Sequence, residues 1–245
     1  MHDTPKKIAL VTGANKGIGL AIAREFGKAG MTVLLGARNR ALGEEAAAKL
    51  QAEKLDVRFV HVDLVRPETI AAAAASIDAR FHHLDILVNN AGILDPADGP
   101  PSAADLNSVR RVMETNFLGT LAVTQAMLPL LRKAKDARIV NLSSGLGSLE
   151  KNADANWDFA SFKLIGYNAS KAALNMLTVQ LAYELRETGI KVNSVSPGFV
   201  DTDMNGHRGT LTVEEGAAGP VRLALLPADG PTGGFFDDKA AHYPW

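Results

Sequence analysis

The sequence predicts a doubly wound α/β fold, a single domain over residues 1–245 built on a mainly parallel seven-stranded sheet flanked by helices. Three observations point there. Short apolar runs alternate with helical patterns along the whole chain. Those runs are apolar at consecutive positions, as in strands buried on both faces. No linker or internal repeat divides the chain, and a composition of 47% hydrophobic and 22% charged residues over 245 positions suits one large core.

The elements follow in order. A strand at 8–11 meets a glycine-bearing turn, then a helix at 18–26 that stops at Gly30. Strand 32–35 leads to an Ala/Glu/Lys-rich helix at 40–54, and strand 57–62 to a helix at 67–80, which opens on Pro67 as a first-turn residue. Strand 85–89 precedes a Pro/Asp/Gly loop at 92–101 and a long helix at 106–132. Strand 138–142, a helix at 167–188, strand 190–195, a helix at 213–226 and a short strand at 233–237 complete the chain. Two segments break the rhythm after strand ends, an insertion at about 145–166 and a loop at about 196–220. In open α/β sheets that edge binds ligands, so the second segment is expected to be a substrate loop.

Composition excludes several functions. Lys plus Arg number 26 against 27 Asp plus Glu, a net charge of −1 without a basic tract, so no nucleic-acid partner is expected. The absence of cysteine removes disulfides, thiolate metal sites and Cys nucleophiles. Residues 1–7 are polar, and nowhere do about 18 apolar residues run together. A soluble, cytoplasmic protein with no export signal and no membrane association is expected. His82 and His83 are adjacent, a spacing that does not converge two rings on one metal, so no metal is expected. Arg110 and Arg111 read as a solvated helix face, and His207 and Arg208 lie near the substrate loop without an assigned role.

The first candidate for chemistry is TGANKGIG at 12–19, between the first strand and the first helix. A dinucleotide pyrophosphate needs close backbone approach and helix N–H groups aimed at its charge, which Gly13, Gly17 and Gly19 permit. The spacing departs from GxGxxG, and an ordinary strand-to-helix turn also fits it. At the end of the second strand, where a carboxylate would accept ribose hydroxyls, stands Arg38. Its guanidinium offers forked donors to a 2′-phosphate, and Lys16 reaches the same group, so NADP(H) is the expected cofactor. Surface cations would read the same way.

The second candidate is Tyr167 and Lys171 in YNASKAAL, four apart and so on one helix face. A neighbouring ammonium favours the phenolate, so the phenol pKa is expected to fall and make the pair a tuned acid or base. An exposed helical pair is the alternative. Ser144, after the strand at 138–142, offers a hydroxyl to a carbonyl, and Asn116 places an amide mid-helix where it needs partners such as an ordered water. Taken singly, Ser143 and Ser144 also fit a turn, and Asn116 a satisfied core amide.

The order TGANKGIG, Asp63, NNAG (89–92), Asn116, NLSS (141–144), YNASK (167–171) and SPG (196–198) resembles the classical short-chain dehydrogenase/reductases along almost the whole chain. The resemblance implies a Rossmann fold and a catalytic tetrad of Asn116, Ser144, Tyr167 and Lys171. It places Asp63 on the adenine, Asn90 beside the riboses, Lys171 also on the nicotinamide ribose, and Thr202 on the pyrophosphate or carboxamide. Asn15, Lys16, Ile18, Leu64, Ala91, Gly92, Pro197, Gly198 and Val200 complete the implied cofactor contacts. ANKGIGLAIA, the GAR ending of strand two, TDMNG and VRLALLP are most similar to the NADPH-dependent carbonyl reductases. Ser144 and Tyr167 are 23 residues apart. That is longer than usual in the family and shorter than in animal and plant carbonyl reductases, whose insertion covers the helices used for oligomerisation. Monomer and homo-oligomer both stay open.

The resulting expectation is hydride transfer from NADPH to a small apolar or aromatic ketone, aldehyde or quinone, with Tyr167 as general acid, Ser144 polarising the carbonyl and Lys171 tuning the phenol. The alternatives are an NADP-dependent alcohol dehydrogenase, acting on an alcohol substrate, and a non-catalytic NADP(H)-sensing protein. Trp157, Phe159 and Phe162 either wall the substrate pocket or anchor the insertion, Met204 and Leu211 cover the other side, and the aromatic segment 235–245 packs on its own body or a neighbour.

Overall fold

The computed structural model describes residues 6–245, so most of the polar leader read above lies outside the described residues. Seven strands form one sheet in the order β3-β2-β1-β4-β5-β6-β7. They are β1 (Ile8–Val11), β2 (Thr32–Ala37), β3 (Val57–His61), β4 (Ile86–Asn89), β5 (Arg138–Leu142), β6 (Lys191–Val195) and β7 (Phe235–Phe236). Every pairing is parallel. The chain begins mid-sheet, runs outward through β2 and β3, then crosses to β4 on the other side of β1. The strand order therefore reverses between β1 and β4, which leaves a crevice beyond their carboxyl ends.

The helices are α1 (Gly17–Lys28), α2 (Arg40–Ala52), α3 (Pro67–Phe81), α4 (Leu106–Met113), α5 (Thr120–Leu131), α6 (Leu149–Ala153), α7 (Ile165–Glu184) and α8 (Val213–Ala224). Alternation along each strand explains the continuous apolar runs. Ala9, Val11, Val33, Leu35, Ile86 and Val88 face one layer with Phe26 of α1, Leu50 of α2 and Leu223 of α8. Their neighbours Ile8, Leu10, Leu34 and Leu87 face the other, with Ile77 of α3, Met127 of α5 and Leu181 of α7. Each fully buried side chain of this kind contributes about 1.5–3 kcal/mol.

Polar residues interrupt the apolar pattern at one level of the sheet. Register aligns Asn89 of β4 with Asn141 of β5 and Asn141 with Ser194 of β6. Their side chains form one chain of bonds: Asn89 donates to Thr124 (3.0 Å) and Asn141 (2.8 Å), Asn141 donates to Thr178 (2.8 Å), and Thr178 meets Ser194 at 2.7 Å, while the buried Asn89 Oδ1 has no partner among the described residues. This belt ties β4, β5 and β6 to α5 and α7 directly below the crevice.

Two expectations are corrected. The helix expected over 106–132 runs to Leu131 but is not α-helical throughout, because a π turn at Glu114–Gly119 lies between α4 and α5. Gly119 ends that turn against the β3–α3 loop, where a Cβ would lie 2.7 Å from the Leu64 Cβ. Within the insertion, a 3-10 turn at Gly145–Gly147 is followed by α6. The last strand shrinks to two residues, Phe235 and Phe236. Beyond it the chain turns back on its own body: Phe235 packs on Tyr243 (5.1 Å) and Trp245 (5.5 Å), and the Trp245 carbonyl accepts from Ser148 (3.1 Å) and the Glu150 amide (2.9 Å). His82 and His83 have local roles, His82 ending α3 in the left-handed region (φ 64°) and His83 pairing with Asp85 at 3.2 Å. Among the described residues no helix is long and apolar enough to cross a membrane.

Candidate active site

A cavity of about 410 Å³ opens at the β1/β4 crevice, with the glycine turn on one wall and α7 at its inner end. Gly13 (φ +62°) and Gly17 (φ +56°) adopt left-handed backbone, and a Cβ on Gly13 would lie 2.9 Å from the Ala91 Cα. A Cβ on Gly19 would land on the Asn90 side-chain amide and lie 2.7 Å from the Gly13 carbonyl. Asn90 bridges the turn by donating to the carbonyls of Thr12 (2.8 Å) and Gly13 (3.1 Å). Thr12 returns the bond, its hydroxyl accepting from the Asn90 and Ala91 amides at 3.0 and 3.1 Å. Strand β1 and strand β4 are thus tied where a ligand would cross.

α1 starts at this turn with no side-chain cap and no acidic residue in its first turn. Asn15, Gly17, Ile18 and Gly19 line the cavity there, so the amide-rich cradle suits an anionic group. Asp63, Leu64, Ala91, Gly92, Pro197 and Thr202 also line it. Arg38 lines it, is exposed, and forms no ion pair among the described residues. Arg40, by contrast, is turned away, paired with Glu44 at 3.1 Å and lying over the Phe59 ring. Lys16 lines the cavity with its ammonium 2.6 Å from Asp203 of the loop after β6. His207 joins that pair, its ring nitrogens 2.7 Å from Asp201 and 2.9 Å from Asp203. The two carboxylates hold the His207 pKa above its ordinary value.

At the inner end α7 presents Tyr167 and Lys171. Lys171 is 5% exposed, donates to the Leu142 carbonyl at 2.8 Å and lies 5.6 Å from the Tyr167 ring centre. Asn116 projects from the π turn, accepting from the Ile93 amide (2.8 Å) while donating to the Ile93 carbonyl (3.0 Å) and Ser170 (3.1 Å). Extra residues in a π turn rotate the following side chains, and here the amide is fully paired within the wall. Ser144 caps the 3-10 turn, its hydroxyl accepting from the Leu146 amide at 3.2 Å, and stands beside the Tyr167 phenol.

The electrostatics reverse one expectation. Burial pushes the Tyr167 phenol up to about 12, with the Ser144 hydroxyl offsetting part of the rise. Burial pushes the Lys171 ammonium down to about 8. The phenol pKa therefore does not fall beside the ammonium: both groups lose water, and desolvation favours the neutral form of each. The polypeptide holds Tyr167 as a protonated phenol.

Two implied contacts lie elsewhere. Gly198 (φ +82°) sits against Leu211, and Val200 is buried against Gly216 of α8. Leu211 thereby serves the loop's own packing, while Met204 lines the cavity. Trp157, Phe159 and Phe162 form one aromatic cluster that reaches Phe199 at 5.7 Å from Phe159, joining the insertion to the loop after β6. Val62, Val65, Ile93 and Thr115 line the cavity without having been singled out. Each neighbours a residue that was, so extending the reading along the strand ends would find them. Ser170, which accepts from Asn116 and donates to the Tyr167 carbonyl, carries no local signal that sets it apart from other helix residues.

A family model described as short chain dehydrogenase matches residues 7–210. The chain is 38% identical over 230 residues to the short-chain dehydrogenase anuI of Penicillium roqueforti, covering 91% of this chain and 90% of that protein. It is 35% identical to carbonyl reductase [NADPH] 1 of Mus musculus, covering 99% of this chain and all of the mouse protein. Among solved structures, the NADPH-bound carbonyl reductase from chicken fatty liver superimposes with a TM-score of 0.87 at 31% identity, over 99% of this chain and 100% of that one.

Proposed function

The chain belongs to the short-chain dehydrogenase family, and from that premise we propose that it is an NADPH-dependent carbonyl reductase acting on a small apolar or aromatic ketone, aldehyde or quinone. The observation that carries the reading is that Tyr167 and Lys171 line the inner end of a cleft whose other end is an uncapped helix start, with Ser144 beside the phenol and Asn116 behind the wall, bonded to Ile93 and Ser170. Arg38, free of ion pairs among the described residues and standing where a carboxylate would favour NADH, supports NADPH, as do the printed names of the relatives. Lys16 adds a second cation once it exchanges Asp203 for a phosphate.

The bound nicotinamide cofactor supplies the hydride. The chain does the rest. Tyr167, kept protonated by burial, gives its hydroxyl proton to the carbonyl oxygen as negative charge develops there. The Ser144 hydroxyl donates a second hydrogen bond to that oxygen and orients the carbonyl. Lys171 stabilises the phenolate left behind, an interaction stronger in the transition state than in the ground state. Asn116, its amide fixed by Ile93 and Ser170, braces the wall behind Lys171.

The test is oxidation of NADPH and NADH by the purified protein against a panel of aromatic ketones, aldehydes and quinones, with Tyr167→Phe alongside. Turnover with NADPH that drops by about 10³-fold or more in the variant, at unchanged NADPH affinity, is expected, since removal of a proton donor costs on this order. Full activity in Tyr167→Phe would overturn the mechanism.

A further inference from the structure

We propose that Asp98, a loop residue outside the tetrad, is a positioning residue for the reaction, its carboxylate holding the first turn of α7 and with it the Tyr167 side chain. The inference rests on the reductase reading above.

The first amides of a helix lack intrahelical partners, and a Ser, Thr, Asp or Asn at the cap ordinarily supplies one. α7 has Leu164 at that position and no side-chain cap of its own. The partners come from 66 or more residues earlier: the Ile165 amide donates to the Gly99 carbonyl (2.9 Å), the Gly166 amide to Asp98 Oδ1 (3.0 Å) and the Tyr167 amide to Asp98 Oδ2 (2.8 Å). One carboxylate spends both oxygens on consecutive amides, and the second of these belongs to Tyr167. Asp98 is itself oriented by the Gly99 amide, which donates to its Oδ1 at 2.9 Å.

Gly166 makes the approach possible. A Cβ there would lie 3.1 Å from Asp98 Oδ2 and 3.1 Å from the Val109 Cα of α4. The loop is anchored in turn, since Asp95 pairs with Arg111 of α4 at 2.8 Å and its carbonyl accepts the Asp98 amide at 2.9 Å. Ile93, which grips Asn116 with both backbone groups, belongs to the same loop. One loop thus places two members of the tetrad that lie on different helices.

The carboxylate also opposes the positive end of the α7 dipole, which otherwise favours a phenolate in the first turn. Removing the charge lowers the phenol's proton affinity. The other charged groups around this loop and helix start are Asp95, Asp105 and Arg111 on the loop and α4, Lys163 just before α7 with its ammonium on the Asn152 carbonyl, and Lys171 on α7.

The experiment compares Asp98→Asn and Asp98→Glu with the wild type by kcat, KM for NADPH, the pH profile of kcat and backbone amide exchange. Asp98→Asn is expected to lower kcat about 10- to 100-fold, the scale of a small misplacement of a reacting group, with KM for NADPH within about twofold. Its alkaline limb moves to lower pH, and the Gly166 and Tyr167 amides lose protection. Asp98→Glu, which keeps the charge but not the reach, is expected to lower kcat with the limb unmoved. Wild-type kcat with an unmoved limb in Asp98→Asn overturns the proposal. So does a kcat loss matched by lost NADPH affinity with the limb in place, the mark of general structural damage. If the wild type reduces no carbonyl, the reductase reading fails by itself, while unchanged exchange at Gly166 and Tyr167 in Asp98→Asn overturns the clamp.

Discussion

Replacing Lys171 by Met is expected to abolish turnover and make the protein more stable. Lys171 is 5% exposed, its ammonium donates to the Leu142 carbonyl, and burial depresses its pKa from 10.5 to about 8. At about 1.4 kcal/mol per pKa unit, keeping the ammonium charged at pH 7 costs about 3 kcal/mol of native stability. Methionine fills a similar volume without a charge. It leaves the Leu142 carbonyl without that donor, a loss of about 1 kcal/mol, so the net gain is about 2 kcal/mol. For a chain of this size that raises Tm by about 4–8 °C. The gain depends on pH with a definite sign. The unfolded chain binds the Lys171 proton more tightly than the folded one, so the penalty is full below about 8 and disappears as pH rises towards 10.5. Urea titrations of both proteins at pH 7, 8.5 and 10 would follow it. A variant less stable than the wild type at pH 7, or a difference that stays constant up to pH 10, refutes the reasoning. In that case Lys171 would be held by interactions that outweigh its desolvation.

Two further substitutions test the cofactor end. Arg38→Asp removes the cation that has no partner among the described residues and is expected to weaken NADPH relative to NADH by about 1.5–3 kcal/mol, measured as the ratio of the two dissociation constants. An unchanged ratio would place the phosphate elsewhere. Gly19→Ala drives a methyl onto the Asn90 amide that bridges Thr12 and Gly13, and is expected to cost about 1–3 kcal/mol in urea titrations and to weaken NADPH binding. Wild-type stability and affinity would show that the two strand ends separate at little cost.

Features that live within a few residues were legible in the sequence. Consecutive apolar positions in β1, β2 and β4 announced strands buried on both faces, because side-chain alternation sends successive residues into two different helix layers. The Tyr167–Lys171 pair was legible because four residues make about one helical turn, and Gly13 and Gly17 because their left-handed backbone suits glycine. What tertiary structure alone decided depends on partners far away in the chain. The carboxylate that caps α7 lies 69 residues before Tyr167, and the one that holds Lys16 lies 187 residues after it. No local pattern marks either. The π turn at Asn116 departs from an otherwise continuous helical pattern because the Ile93 backbone and Ser170, on separate elements, grip the Asn116 side chain. The direction of the Tyr167 shift has the same origin: spacing reveals that an ammonium is near, but the loss of water around both groups depends on how distant elements close around the inner end of the cleft.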